Sequence, residues 1–268
     1  MLCARSLRRR RALAARHTGG PGLERARGAL RRLQSHNLAA YRTPSGIILS
    51  EPFGATPSVI VPVPYDDACD LVGTLLQRTP PQALVAALAC FGRAALERAI
   101  AGGIRAVIVP ANRPFAQCSR SVASLAPEID RWHAPPVGLF VLEERLLLLR
   151  PHALRMAAAH EFAHALDAVM AQQPRSYVSF ESSDIREAFV SATGYVNEYA
   201  ASGLDEYFAE SVRAYVEVND DRSSWLPLTR HDLFLRDPRM FSIIERLFAT
   251  VMQAQADLTP SSRHRGTG

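Results

Sequence analysis

The sequence predicts an α+β domain, mostly helical, with a small sheet set just before one central helix. Three observations carry this. Residues 151–173, PHALRMAAAHEFAHALDAVMAQQ, are dominated by Ala, Leu and Met, which lose little freedom on entering a helix. The preceding run VGLFVLEERLLLLRP (137–151) reads as two strand-like segments pivoting at Glu143-Glu144, a hairpin that feeds the helix. Downstream, apolar residues recur at helical spacing through 204–215 and 237–253.

Length and composition bound the rest. With 268 residues, one domain over 56–256 is expected, flanked by a basic, largely disordered tail (1–55) and a short disordered tail (257–268). Hydrophobic residues at 48% and charged residues at 21% describe an ordinary globular chain with an ample core. The formal charge of +5 comes from the tail: residues 1–32 hold ten arginines and a single acid, Glu24. The remainder is mildly acidic, which argues against a nucleic-acid face on the domain. The arginine-rich stretch itself fits either a solvated tail or a basic arm for membranes or nucleic acid. The apolar run Ala12-Leu13-Ala14-Ala15 is cut short by Arg16, so no secretory signal is read, and no run is long enough for a membrane span. A monomer is expected. The four cysteines, Cys3, Cys69, Cys90 and Cys118, show no CxxC spacing, which excludes a cysteine zinc site. One disulfide remains open, although buried free thiols fit better.

Taken in order, SVIVPVPY (58–65) reads as a short or edge strand, because its prolines cannot donate to a ladder. Helices follow over 66–77 and 80–101, the second opened by Pro80-Pro81 and closed by Gly102-Gly103. IRAVIVP (104–110) reads as a buried strand, and 112–136 as irregular, punctuated by Pro114, Pro127 and Pro135-Pro136. After the hairpin, the central helix is expected from Pro151, a suitable first helical residue, to Gln173 before Pro174. A strand next to that helix offers an edge on which an extended peptide can pair. A short helix over 184–193 ends at Gly194. Ser202 as N-cap, with Asp205 near N3, starts another near Gly203. It places Glu206, Glu210 and Arg213 on one face and Leu204, Phe208 and Val212 on another. DPRMFSIIERLFATVMQ (237–253) closes the domain as an amphipathic helix.

The chemistry sits in His160-Glu161-Phe162-Ala163-His164. Histidines at i and i+4 share one helix face, so both imidazoles can reach one metal ion, with Glu161 beside them to act on a water. This is the zincin pattern. A five-residue match also fits two surface histidines on an amphipathic helix, but the flanking Ala157, Ala158, Ala159, Ala165 and Leu166 make the helix a buried one. Buried histidines and a glutamate need a metal or a hydrogen-bond network. His133, His152 and His231 lack a partner at metal spacing and read as ordinary histidines.

A catalytic zinc takes three protein ligands and keeps a position for water. Glutamate from a second helix is the gluzincin solution, and Glu206 in EYFAES is the choice. Glu210, one turn on, can accept from the free ring N–H of a ligand histidine. Two solvated acids paired with Arg213 is the alternative for this pair. Tyr199, just before the helix, can donate to a developing oxyanion or simply pack. Asp167 is either a residue supporting the ligands or an exposed helix acid.

HEFAHALD (160–167), Tyr199 and Glu206-Tyr-Phe-Ala-Glu210 together resemble the catalytic domain of anthrax lethal factor and the related Pro-Pro endopeptidases. In that family an HEFGHAxD helix is followed by a tyrosine and, seven residues on, by a glutamate in an EFFAE stretch. The resemblance spans roughly 58–255, with Ala163 in place of glycine and Tyr207 in place of phenylalanine. It implies a toxin-like, secreted zinc metalloendopeptidase of zincin fold that hydrolyses peptide bonds through a zinc-activated water. Zn2+ is then held by His160, His164 and Glu206. Glu161 is the general base, Tyr199 the oxyanion donor, and a protein or peptide substrate lies extended along an edge strand. The long binding domains of the toxin have no counterpart here. A catalytically silent zincin-like binding protein and an HExxH-type regulatory protease are the two rival readings.

Overall fold

A computed structural model describes residues 60–220 and 227–256 of the chain, with side chains to residue 250. The expected tails at 1–55 and 257–268 lie outside the described residues, as do the first two residues of the expected 58–65 strand. The elements run α1 (Tyr65–Leu76), α2 (Gln82–Ala89), α3 (Arg93–Ala101), β1 (Arg105–Ile108), α4 (Arg120–Leu125), β2 (Gly138–Val141) and β3 (Leu146–Leu149). They continue through α5 (Met156–Met170), α6 (Val178–Glu181), α7 (Ser183–Ser191), α8 (Leu204–Tyr215), α9 (Arg230–Arg236) and α10 (Pro238–Ala256). The architecture is α+β, mostly helical, with a three-stranded sheet in the order β1-β3-β2. No described helix is long and apolar enough to cross a membrane.

Pairing is parallel between β1 and β3 and antiparallel between β2 and β3. The strand that leads into the central helix is therefore the middle strand, and the edges belong to β1 and β2. This corrects the expectation of a free edge directly before the helix. The unbroken Leu146–Leu149 run follows from that position, because both of its faces are covered. Leu147 and Leu149 join the main core with Phe140, whereas Leu146 and Leu148 join a second core with Leu139 and Val141. Alternation along a strand puts these cores on opposite faces of the sheet. β1 is less enclosed than a buried strand should be, since Arg105 and Val107 are exposed.

Helix α5 packs on β2 and β3 on one side and on α8 on the other. Every residue of α5 from Ala158 to Ala168 and every residue of α8 from Asp205 to Tyr215 is buried. These two helices form the middle of the domain, with α2, α3 and α10 packed around them.

Several boundaries differ from the sequence reading for local reasons. Residues 60–64 form no strand; Pro62 and Pro64 remove donors, and Val63 N–H is spent on Ala89 O. The single helix expected over 80–101 is two, broken at Gly92, whose φ of 82° suits glycine. Helix α5 begins at Met156, not Pro151. A turn comes first, with Ala153 N–H on Arg150 O, and it buries Ala153 and Leu154. The same helix ends at Met170, where the freed N–H groups of Gln172 and Gln173 donate to the Glu181 carboxylate. Gly203, not Ser202, occupies the N-cap of α8, because the Ser202 hydroxyl turns back to Tyr199 O. Helices α4, α6 and α9 were not expected; Ser119 caps the first, and Thr229 with Asp232 forms a capping box on the last. At the start of α10, Asp237 accepts from Met240 N–H and, through its other oxygen, from the Tyr207 hydroxyl. Tyrosine at 207 therefore has a buried partner that phenylalanine would not need. Cys69, Cys90 and Cys118 are free thiols, each partly exposed.

Two side chains tie down the stretch 112–136: Glu144, which accepts from the Ser119 hydroxyl and Ser121 N–H at 2.7 Å, and Arg150. Arg150 is 8% exposed and donates to the carbonyls of Pro110 and Arg113 at 2.6 and 2.8 Å, while its other nitrogen meets Asp130. Its guanidinium also lies 4.0 Å from the Phe115 ring centre. Asp130 in turn accepts from Phe115 N–H at 2.8 Å. The buried side chains of this stretch, Phe115, Val122 and Ile129, pack on the sheet face turned away from α5. Replacing Arg150 by alanine leaves one Asp130 oxygen and several carbonyls without their donor. We expect Arg150→Ala to lower stability in urea titration by about 2–3 kcal/mol, less than the full cost of breaking a buried pair because Asp130 is partly exposed and keeps its bond from Phe115 N–H. Arg131→Ala, which removes an exposed pair with Glu128, should change it little.

Candidate metal centre

The central pair of helices brings three donor atoms together. His160 Nε2 and His164 Nε2 stand 3.1 Å apart. Glu206 Oε2 lies 3.1 Å from the first and 3.3 Å from the second. The three residues are 8%, 3% and 5% exposed. Among the described residues this is the group of histidine, cysteine and acidic side chains whose atoms converge closely enough to hold a metal ion. The local cause is simple. One helical turn separates the histidines on α5, and Glu206 sits in the first turn of α8, which packs across that turn.

The donor set fits zinc. Donors about 2.0–2.1 Å from a tetrahedral ion stand about 3.3–3.4 Å from one another, close to the separations found here. Two imidazole nitrogens and one carboxylate oxygen are also ligands that zinc takes in catalytic sites. Burial pushes the His160 imidazole down, but its contacts with Glu206 and Glu210 outweigh this and raise it to about 10. A metal entering the pocket must therefore displace a proton.

Glu210 accepts from His160 Nδ1 at 2.7 Å. That bond fixes the tautomer in which Nε2 is free to ligate. Burial pushes Glu210 up, yet the hydrogen bond and charge of His160, with those of Arg213, hold it at about 2. Arg213, 1% exposed, contacts both Glu210 oxygens at 3.2 and 2.8 Å. It is thus a buried counter-ion for Glu210 and not a surface partner, and its other nitrogen reaches Asn219 Oδ1 at 3.0 Å.

Glu161 is 3% exposed and faces the sheet, with Oε2 accepting from Phe140 N–H at 2.8 Å. Tyr199 is half-buried and its ring lies 5.7 Å from that of His160. Two residues that the sequence reading passed over complete the surroundings. Asn197 donates to Glu210 Oε2 and accepts from Ala200 N–H at 2.8 Å, so it ties the Tyr199 turn to Glu210. An asparagine two positions before the tyrosine was the available signal, since such side chains favour local turns. Tyr177 packs 6.3 Å from His164 and 6.5 Å from Phe140, ring to ring.

Asp167 is fully buried and points to Ser179, accepting from its N–H at 2.8 Å and pairing with its hydroxyl at 2.6 Å. It holds the 177–179 segment, and with it Tyr177, against α5, and it makes no hydrogen bond to a ligand histidine. His133, His152 and His231 are exposed.

Comparison with known proteins adds little. No protein-family model matches the chain, and no curated protein matches it. Among solved structures, the Pro-Pro endopeptidase PPEP-2 from Paenibacillus alvei is similar at a TM-score of 0.47 and 16% identity, over 66% of this chain and 99% of that one. Likeness of that degree lends no weight to the function proposed for this chain.

The Asp167 environment has a pH consequence. Burial raises its carboxyl, the Ser179 bonds oppose this, and the Asp205 charge adds to the rise, leaving it at about 8 against an ordinary 3.8. An acid raised on folding favours the folded state while protonated. That contribution is complete below the unfolded value and is lost as pH rises through about 8. Asp167→Asn keeps an acceptor for Ser179 N–H and cannot ionise. Its stability should therefore decline less than that of the parent between pH 6 and 9, as read by urea unfolding across that range.

Proposed function

We propose that the chain is a zinc-dependent endopeptidase. The observation that carries this reading is the convergence of the His160, His164 and Glu206 donor atoms in a buried site, with Glu161 on the same helical turn. Zinc held by those three residues supplies a Lewis acid that acidifies water and polarises a peptide carbonyl. The remaining work belongs to side chains. Glu161 takes a proton from the attacking water and returns it to the leaving amine. Tyr199, whose ring lies beside that of His160, donates to the oxyanion that forms on the substrate carbonyl. Glu210 and Arg213 keep His160 in the ligating tautomer.

The substrate is placed by β2. This edge strand lies against α5, and its outward groups are those of Gly138 and Phe140, because Val137, Leu139 and Val141 face β3. An extended peptide can pair with that edge by main-chain hydrogen bonds. Tyr177 and Phe140 supply aromatic surface next to the site.

The test is peptide cleavage by the zinc-loaded protein, scored by mass spectrometry on a proteome-derived peptide library. Cleavage should stop on chelation and return with zinc. Glu161→Gln should keep one zinc per chain and lose at least about 1,000-fold in kcat/KM, and Tyr199→Phe should lower kcat about 10–100-fold with KM little changed. Undiminished turnover in Glu161→Gln would refute the role given to that residue, and zinc binding without any cleavage would leave a binding protein.

A further inference from the structure

Gly138 has no left-handed backbone to explain it, since the glycines with positive φ among the described residues are Gly92 and Gly103. An L side chain is therefore acceptable to the chain there, and a strand interior gains from one. Space is what forbids it. A Cβ at position 138 would lie 2.8 Å from Glu161 Cγ and 3.4 Å from Glu161 Oε1. It would also lie 3.4 Å from Leu149 Cδ2, on the strand partner in register with Gly138. The atom it would strike is in the middle of the Glu161 side chain, so a small movement of a flexible end cannot relieve the contact. Two residues on, Phe140 N–H is turned away from β3 and donates to Glu161 Oε2 at 2.8 Å. Glu161 thus lies in a slot on β2, with a missing side chain as its floor and a main-chain donor at its end.

We propose that Gly138 is a positioning residue for Glu161, the absence of its side chain and the Phe140 amide together fixing the carboxylate beside the metal ligands. This rests on the reading of Glu161 as the general base. The slot has a consequence for substrate as well. One of the two outward N–H groups of β2 is engaged by the protein's own carboxylate, so an extended peptide pairs through Gly138 N–H and the outward carbonyls.

The test uses the full-length, zinc-loaded chain with Gly138→Ala. Zinc content should stay at one per chain, kcat should fall about 100-fold, and KM should stay within about twofold, the pattern of a misplaced reacting group and not of lost binding. A second readout needs no activity. The Phe140 amide resonance should move in Gly138→Ala toward its position in Glu161→Ala, because both variants break the same hydrogen bond. A third readout guards against general damage: placed in the Glu161→Ala background, Gly138→Ala should leave the melting temperature unchanged or raised, because the clash has been removed. The proposal is overturned by kcat within about threefold of the parent, by a Phe140 amide that does not move, or by equal destabilisation with and without the Glu161 side chain. If the parent cleaves no peptide, the endopeptidase reading fails by itself, and the amide shift and the stability comparison still decide the role of Gly138.

Discussion

Three buried atoms with lone pairs, each within 3.3 Å of the other two, are the constraint on which the rest of this structure depends. Two imidazole nitrogens and a carboxylate oxygen this close and this buried need a proton or a metal ion among them, and the three could hold one metal ion. A second carboxylate, Glu210, sits behind His160 at 2.7 Å and adds negative charge to the same small volume. The balance is restored from the far side by Arg213, itself buried and doubly bonded to Glu210. Successive turns of α8 therefore differ in role. Glu206 faces the histidines, Glu210 orients one of them, and Arg213 neutralises Glu210. A helix buried from Asp205 to Tyr215 carries these groups at low cost because each has a partner of opposite charge or a hydrogen bond.

The sheet serves this arrangement as a platform. Its middle strand is apolar on both faces and carries the chain from one small core to the larger one. Its β2 edge faces α5, and there Glu161 is received by Gly138 and Phe140 N–H. Segments remote in sequence are tied to the same centre by single side chains. Asn197 links the Tyr199 turn to Glu210, and Asp167 clamps Ser179 so that Tyr177 stands against His164. On the opposite face of the sheet Arg150 acts in the same way on the 109–130 stretch, whose buried side chains cover the second core.

The parts of this picture legible in the sequence were those set by local spacing. Histidines four apart on an alanine-rich helix, and glutamates four apart on the next buried helix, declare their faces through the 3.6-residue period. The hairpin showed through its pivot at Glu143-Glu144. Other features depend on partners distant in the chain, and periodicity is blind to them. Asp167 has the spacing of a residue that supports the ligands, yet Ser179 is the group within its reach. Pro151 has the chemistry of a helix start, but the chain leaves β3 through a turn that must bury Ala153 and Leu154 first. Gly92 breaks a helix that composition alone would continue, and nothing local to Gly138 signals the carboxylate that lies over it, because Glu161 comes from another element. The use of β3 as the middle strand follows from β1 pairing with it across the long intervening chain, a choice no local pattern records.

X-ray absorption at the zinc edge, on protein loaded with one equivalent of the metal, tests the central claim most directly. The expected spectrum shows two imidazole nitrogens and at least one carboxylate oxygen at about 2.0–2.1 Å. Changing Glu206 to alanine should remove the carboxylate contribution and weaken binding. A spectrum identical in parent and Glu206→Ala, or failure of the parent to bind zinc stoichiometrically, would contradict the shared role of these three side chains.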